Sequence, residues 1–312
     1  MPKLIELKIE LADDDIQLQK RLAQYINFLK PKSERFPDEV AILSTMVRCA
    51  ILMEDYPRAI AIVRNGLQLA QDPSSRMQIH RMASMVLLER ATKYKDLTNP
   101  IDYRGRVHTL AEAVYSNPSE RAVYTKLLDF VGTVPSEPGI FNDQWLSDSI
   151  NGTEHPGIIH CLLGFKKVSE GDFLVGEKHW RIAERQYPNA RGVINNLMDV
   201  ATVERPDEFK NLLDMITLGV ELFRDQPIFR RTRGVYLANL GRHEEAIADL
   251  VYAAEKIPGV MDVHQHLILC YEKTGDSAKE DEQRQILENK LGLLEEEQRK
   301  RLEAAIGTIT HE

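Results

Sequence analysis

The densest basic cluster in the chain is Arg230, Arg231 and Arg233. Three guanidinium groups this close together could grip a carboxylate or a phosphate through paired hydrogen bonds. A solvated helix start would carry the same residues. His264 and His266 stand two apart on a predicted helix and face different sides. His155 and His160 lack an acidic neighbour at ligand spacing, so none of the four reads as part of a metal site, and surface or groove positions are expected. Asp13, Asp14 and Asp15 have the look of a cation cluster. They immediately precede a predicted helix, where carboxylates cap free N–H groups and meet the positive end of the dipole. Glu295, Glu296 and Glu297 are read the same way. Cys49, Cys161 and Cys270 are far apart, odd in number and embedded in apolar helical patterns, which points to buried reduced thiols. No phosphate-binding glycine loop and no HExxH metal motif occurs. The expectation is a protein without catalytic residues, metal or cofactor.

Composition limits what could position such residues. The chain has 312 residues, 43% hydrophobic and 28% charged, and a formal net charge of -8. That apolar content covers the cost of ordering the chain, and the length alone suggests about two domains. The acidic balance argues against a nucleic-acid partner, which would meet a basic face. The amino terminus, MPKLIELKIELADDD, lacks the apolar core of a signal peptide, and no window reaches the ~18 apolar residues of a membrane span. A soluble, cytoplasmic protein without membrane insertion is expected, and Asn151-Gly152-Thr153 then reads as an ordinary loop rather than a glycosylation acceptor.

The elements themselves announce a repeat. Pro118, Pro188 and Pro258 are separated by a constant 70 residues. Ala113, Ala183 and Ala253 keep the same offset, as do Leu110, Trp180 and Leu250. Gly164 pairs with Gly234 and Gly171 with Gly241. Half of that offset is near the length of a helix–turn–helix solenoid unit. Segments such as VYLANL, IADLVYAA and IAIVRNGLQLA carry apolar residues at three-and-four spacing, with no sustained alternation for strands.

Residues 227–260 set Gly234, Leu237, Gly241, Ala246, Leu250, Ala253 and Pro258 at the places where the tetratricopeptide repeat has its signature residues, and they resemble that family. Residues 157–190 resemble it nearly as well, through Leu163, Gly164, Gly171, Gly176, Trp180, Ala183 and Pro188. The resemblance implies an all-α superhelix, a right-handed solenoid of about seven to eight helix pairs. Weaker units fall at 40–73, 76–120, 191–226 and 261–290, with Pro206 expected to open the second helix of its unit. The domain reading is therefore 1–131, degenerate helical repeats; 132–156, an irregular connection or plug; 157–290, the well-formed repeats; and 291–312, a capping helix. An ordered plug with Phe141 and Trp145 packed inward is favoured over a hinge, because Phe141, Trp145 and Ile150 look like a short buried turn.

In this family the first helix of each unit lines a concave groove. The resemblance thus implies a groove lined by Ile158, Cys161, Leu162 and Phe165; by Asn195, Asn196 and Asp199; by Ile228, Arg231, Thr232 and Val235; and by Asp262, Gln265, His266 and Leu269. Asn side chains carry both donor and acceptor and could pair with a ligand's main chain. The same face could instead be wet or filled by residues 132–156. Members that grip a chaperone's terminal carboxylate need lysines, asparagines and an arginine at set places, and only Asn196 fits, so that mechanism is set aside. RNA-reading helical repeats are set aside too, for want of a basic face. The expected function is a non-enzymatic scaffold binding a peptide or partner protein in the groove. A helical-repeat module of a larger catalytic chain, hinted at by a repeat that begins without a preceding cap, and a self-assembling structural protein remain as alternatives, with the oligomeric state open.

Overall fold

The computed structural model describes residues 15–95, 99–131, 143–209 and 211–292. Among them are fifteen α-helices and no strand. The carboxylates of Asp13 and Asp14, the side chains of Asp15 and Phe141, the triplet Glu295 to Glu297 and the tail from Leu293 lie outside the described residues. The chain forms two compact units, 1–200 and 201–312, rather than dividing at residues 132–156.

In the first unit the helices are α1 (Asp15–Arg35), α2 (Val40–Leu52), α3 (Tyr56–Leu69), α4 (Pro73–Ala91), α5 (Pro100–Ser116), α6 (Arg121–Leu128), α7 (Asp143–Asp148), α8 (Pro156–Ser169) and α9 (Phe173–Gln186), with α10 (Ala190–Glu204) containing the division. The second unit holds α11 (Leu212–Leu222), α12 (Pro227–Asn239), α13 (His243–Lys256), α14 (Met261–Thr274) and α15 (Ser277–Gly292). In the first unit α1 to α6 pack in succession, as do α7 to α9, and in the second unit α11 to α15 do the same; α2 also packs on α4, as α12 does on α14. That second kind of contact makes a succession of hairpins into a helical repeat, since one hairpin buries its remaining apolar face on the next.

Local chemistry sets the helix starts. Pro73, Pro100, Pro156 and Pro227 open their helices, where a missing N–H costs nothing. Asp55, Asp72 and Asp172 cap α3, α4 and α9 by accepting hydrogen bonds from Arg58, Ser75 and Val175 main-chain N–H groups. The turns between paired helices need one left-handed residue, supplied by Gly171 (φ 89°) and Gly241 (φ 75°). Glu54 (φ 55°) takes the same place before the Asp55 cap, so this unit keeps the turn without its glycine. Pro206 departs from expectation. It opens a single 3-10 turn, Pro206–Glu208, the chain becomes extended at Phe209, and α11 starts only at Leu212. The Phe209 side chain that follows the turn is fully buried.

The signature positions explain the pairing of helices. Gly164 lies against the Trp180 indole and 2.9 Å, measured from where a Cβ would sit, from the Gly176 carbonyl. Gly234 meets Leu250 in the same way, at 2.7 Å from its Cγ, and Gly66 meets Leu43. Trp180 is fully buried, and its Nε1–H donates to the Cys161 carbonyl at 3.2 Å, so the indole has no room to retreat. A methyl group at Gly164 would gain up to ~1 kcal/mol of helix propensity but overpack the crossing, at a cost of about 1–3 kcal/mol. We expect Gly164→Ala to lower the urea midpoint by the equivalent of about 1–2 kcal/mol. Gly259→Ala, where nothing stands within 4 Å of the added carbon, serves as the control and should leave the midpoint in place.

Candidate functional site

Few of the expected groove residues face open space. Cys161, Leu162 and Phe165 on α8 are at most 1% exposed, and so is Ile158. Helices α5, α7, α9 and the Ala190 carbonyl, near the Cys161 thiol, enclose this helix, so these side chains are core and not lining. Burial pushes the Cys161 thiol far above its ordinary range, which leaves it an inert apolar filler. Asn195 is buried as well. Asn196 donates its Nδ2–H to the Pro118 carbonyl at 2.9 Å, and Asp199 accepts from Arg121 at 2.7 Å. The amide expected to read a ligand's main chain therefore reads the chain's own.

In the second unit, Thr232, Val235 and His266 are buried, while Gln265 and Leu269 are half-buried. Arg231 is ion-paired with Asp262, which ties α12 to α14. The basic cluster is consumed in the same manner. Arg233 forks onto Asp249 through Nε (2.5 Å) and Nη2 (2.9 Å), and Arg230 approaches the same carboxylate at 3.5 Å while lying over the Tyr252 ring. Asp249 is buried, so Arg230 and Arg233 neutralise an internal charge, while Arg231 bridges two helices through Asp262.

The histidines also turn inward. His264 is buried with Nδ1 at 2.8 Å from Gln283 Oε1. His160 is buried on α8 with Nδ1 2.9 Å from Nδ1 of His179 on α9, the two rings stacked. One ring must carry the shared hydrogen, so both cannot be charged. Burial, then His179 and Arg185, push His160 down to about 4.

The accessible concave surface lies elsewhere, within the first unit. Helices α3, α4 and α5 enclose a cleft of about 250 Å³ whose floor is Ile60, Val63, Leu67, Ala83 and Leu87. Arg64 and Glu112, paired at 2.7 Å, and the loop residues Glu154 and His155 form its rim. Through Tyr115, Ser116 and His80 the cleft shares a wall with a wider depression of about 950 Å³ that reaches along α4 to the α5–α6 turn. The Tyr115 ring stacks on His155 at 4.2 Å. Burial holds His80 and His155 below the ordinary imidazole range, so at neutral pH both are uncharged hydrogen-bonding groups. The segment before this loop is anchored: Trp145 packs edge-on against Tyr103, and His108 Nε2–H donates to the Ser149 carbonyl at 2.7 Å.

Sequence reasoning missed Met77, Arg81, Met85 and Tyr115, which line the depression. A signal was available. In α4 the first three recur every four residues on the side away from Ile79, Ala83 and Val86, where an amphipathic helix should be polar.

No family model matches the chain, and no curated protein matches it. Similar solved structures include a human IFIT1 dimer with m7Gppp-AAAA (14% identity, TM-score 0.30), which covers 89% of this chain and 74% of that one. A human IFIT1 dimer with PPP-AAAA is 16% identical at TM-score 0.32, covering 87% and 64%. An IFIT1 monomeric mutant with Gppp-AAAA is 15% identical at TM-score 0.31, covering 89% and 75%. These neighbours carry m7Gppp-AAAA, PPP-AAAA and Gppp-AAAA, and the exclusion of nucleic acid drawn from net charge is withdrawn. The physical reason is that net charge averages over the whole surface, whereas a ligand meets the local potential of one face.

Two outcomes test the inward roles. Asp249→Ala should destabilise the chain by about 2–3 kcal/mol in urea, short of the fully buried case because Arg233 keeps some solvent contact. Arg230→Ala should cost under ~1 kcal/mol. Stability should also be complete above the unfolded imidazole pKa of 6.5 and fall as pH drops from there toward 4, since the unfolded chain then binds the proton that folded His160 refuses. His160→Asn should flatten that fall in a pH series of thermal melts.

Proposed function

We propose that the chain is a non-catalytic helical-repeat binding module that holds a segment of a partner protein in the cleft and depression between α3, α4 and α5. The carrying observation is the exposure of Tyr115: the residue is 54% exposed in the wall common to both hollows, its ring backed by His155. A stacked aromatic of this kind offers contact area at little entropic cost. The apolar floor supplies burial, and the polar rim supplies orientation.

Several features support this reading over catalysis. The depression is wide and open, and its one lining histidine, His80, is an uncharged neighbour of Arg76. The sequence carries no nucleophile or metal-binding motif there. A reducing compartment such as the cytoplasm belongs to the proposal, supported by three buried, unpaired thiols at Cys49, Cys161 and Cys270. Among the described residues no helix is long and apolar enough to cross a membrane.

The test is a selection from a random peptide library on the intact chain, followed by calorimetric titration of the enriched sequences. We expect enriched peptides to bind the wild type and to weaken about tenfold or more on Tyr115→Ala. Leu174→Ala, an exposed position on α9, should leave binding unchanged. Enrichment indifferent to Tyr115, or no enrichment from a folded chain, overturns the assignment.

A further inference from the structure

Apolar side chains lie on every side of α4. Ile79, Ala83, Val86 and Leu87 are buried, Met82 packs half-buried on the core, and Met77 and Met85 stand 56% and 63% exposed. Met77, Arg81 and Met85 follow one another at four-residue intervals, so they form one ridge along two turns of the helix, about 12 Å long. All three line the open depression, with Tyr115 on its opposite wall. Flexible thioethers exposed side by side are suited to accepting another apolar surface.

The charge on this ridge is specific. Arg81 makes no hydrogen bond or ion pair among the described residues. Its neighbour Arg76 is already engaged, donating to the carbonyls of Leu67 (2.6 Å) and Ala70 (3.1 Å) at the end of α3. Glu120, across the depression, repels anions from the far rim. Arg81, between the two methionines, is thus the lining arginine with its donors left to offer a carboxylate.

We propose that this ridge docks an amphipathic helix of a partner protein, which lays two apolar side chains on Met77 and Met85 and sets a carboxylate between them on Arg81. The partner is helical because the exposed face of α4 offers only side chains. A helix satisfies its own main-chain N–H and C=O groups internally, so side-chain contacts alone suffice to dock it. A four-residue ridge also fits the groove beside the matching ridge of a second helix. The inference rests on the reading of the depression as a binding site.

The experiment uses two synthetic helical peptides that differ at one position. The first carries Leu, Glu and Leu at i, i+4 and i+8 on one face, and the second has Lys in place of Glu. Both are titrated by fluorescence anisotropy into the full chain, into Arg81→Glu and into the double variant Met77→Ser/Met85→Ser, with each variant's fold checked by circular dichroism. The wild type should bind the Glu peptide about tenfold more tightly than the Lys peptide, and Arg81→Glu should reverse that preference. The methionine variant should lose most affinity for both. Equal binding of the two peptides overturns the assigned carboxylate while leaving the docking surface. If neither designed peptide binds although library-selected peptides do, the helical partner is refuted and the cleft assignment stands. If no peptide of any kind binds, both fall. A single-stranded oligoadenylate that binds through Arg81 where the peptides do not would overturn the proposal in favour of nucleic acid.

Discussion

The close approach of a glycine to a large side chain across each well-formed hairpin is the constraint on which the rest depends. Gly164 against Trp180 and Gly234 against Leu250 are the same contact made twice, sixteen residues apart in sequence each time. With a Cβ at either glycine the two helices would separate. The apolar residues beside the crossing, such as Ala183 and Ala253, would then no longer touch the facing helix, and dispersion falls off steeply with such gaps. Because the contact fixes the helices so closely, few side chains between them have a choice of direction. What remains outward is free to vary, and the outward ridge of α4 is where that freedom has been used.

The helical repeat was legible in the sequence because it depends on residues that act locally. Glycine at a crossing, proline at a helix start and aspartate at a cap each declare their position by type and spacing. Where another residue took over the task, legibility failed. Glu54 performs the turn made by Gly171 and Gly241, and its identity gives no hint of a left-handed backbone. Pro206 was a valid start signal, yet the turn it opens ends three residues later at the buried, extended Phe209.

The binding surface was less legible for a different reason. Groove positions carried over from a family assume that every inner face is open. Cys161, Leu162 and Phe165 have the right places in their repeat, but α5, α7 and α9 cover them. Asn196 and Asp199 have the right chemistry, but the Pro118 carbonyl and Arg121 already occupy them. Arg230, Arg231 and Arg233 looked available only because their acceptors, Asp249 and Asp262, are distant in sequence and therefore invisible to spacing arguments. Conversely, type alone could not single out the exposed methionines of α4, since it does not tell a helix with one apolar face from a helix with two.

The short helix α7 differs from the hairpins in the distance over which it is held. The pairings of α8 with α9 and α12 with α13 close loops of a few residues, so their ordering can begin as soon as each pair exists. The bond from His108 to Ser149 closes forty-one residues, and the Tyr103–Trp145 contact a similar span. Longer closures cost more chain entropy before any contact offsets it. Closure entropy alone thus predicts that the hairpins form before α7 takes its seat against α5 and α8. Run backwards, the same order makes α7 the first piece to lift away when the unit opens, which exposes the Tyr103 and α8 side chains beneath it while the hairpins stay closed.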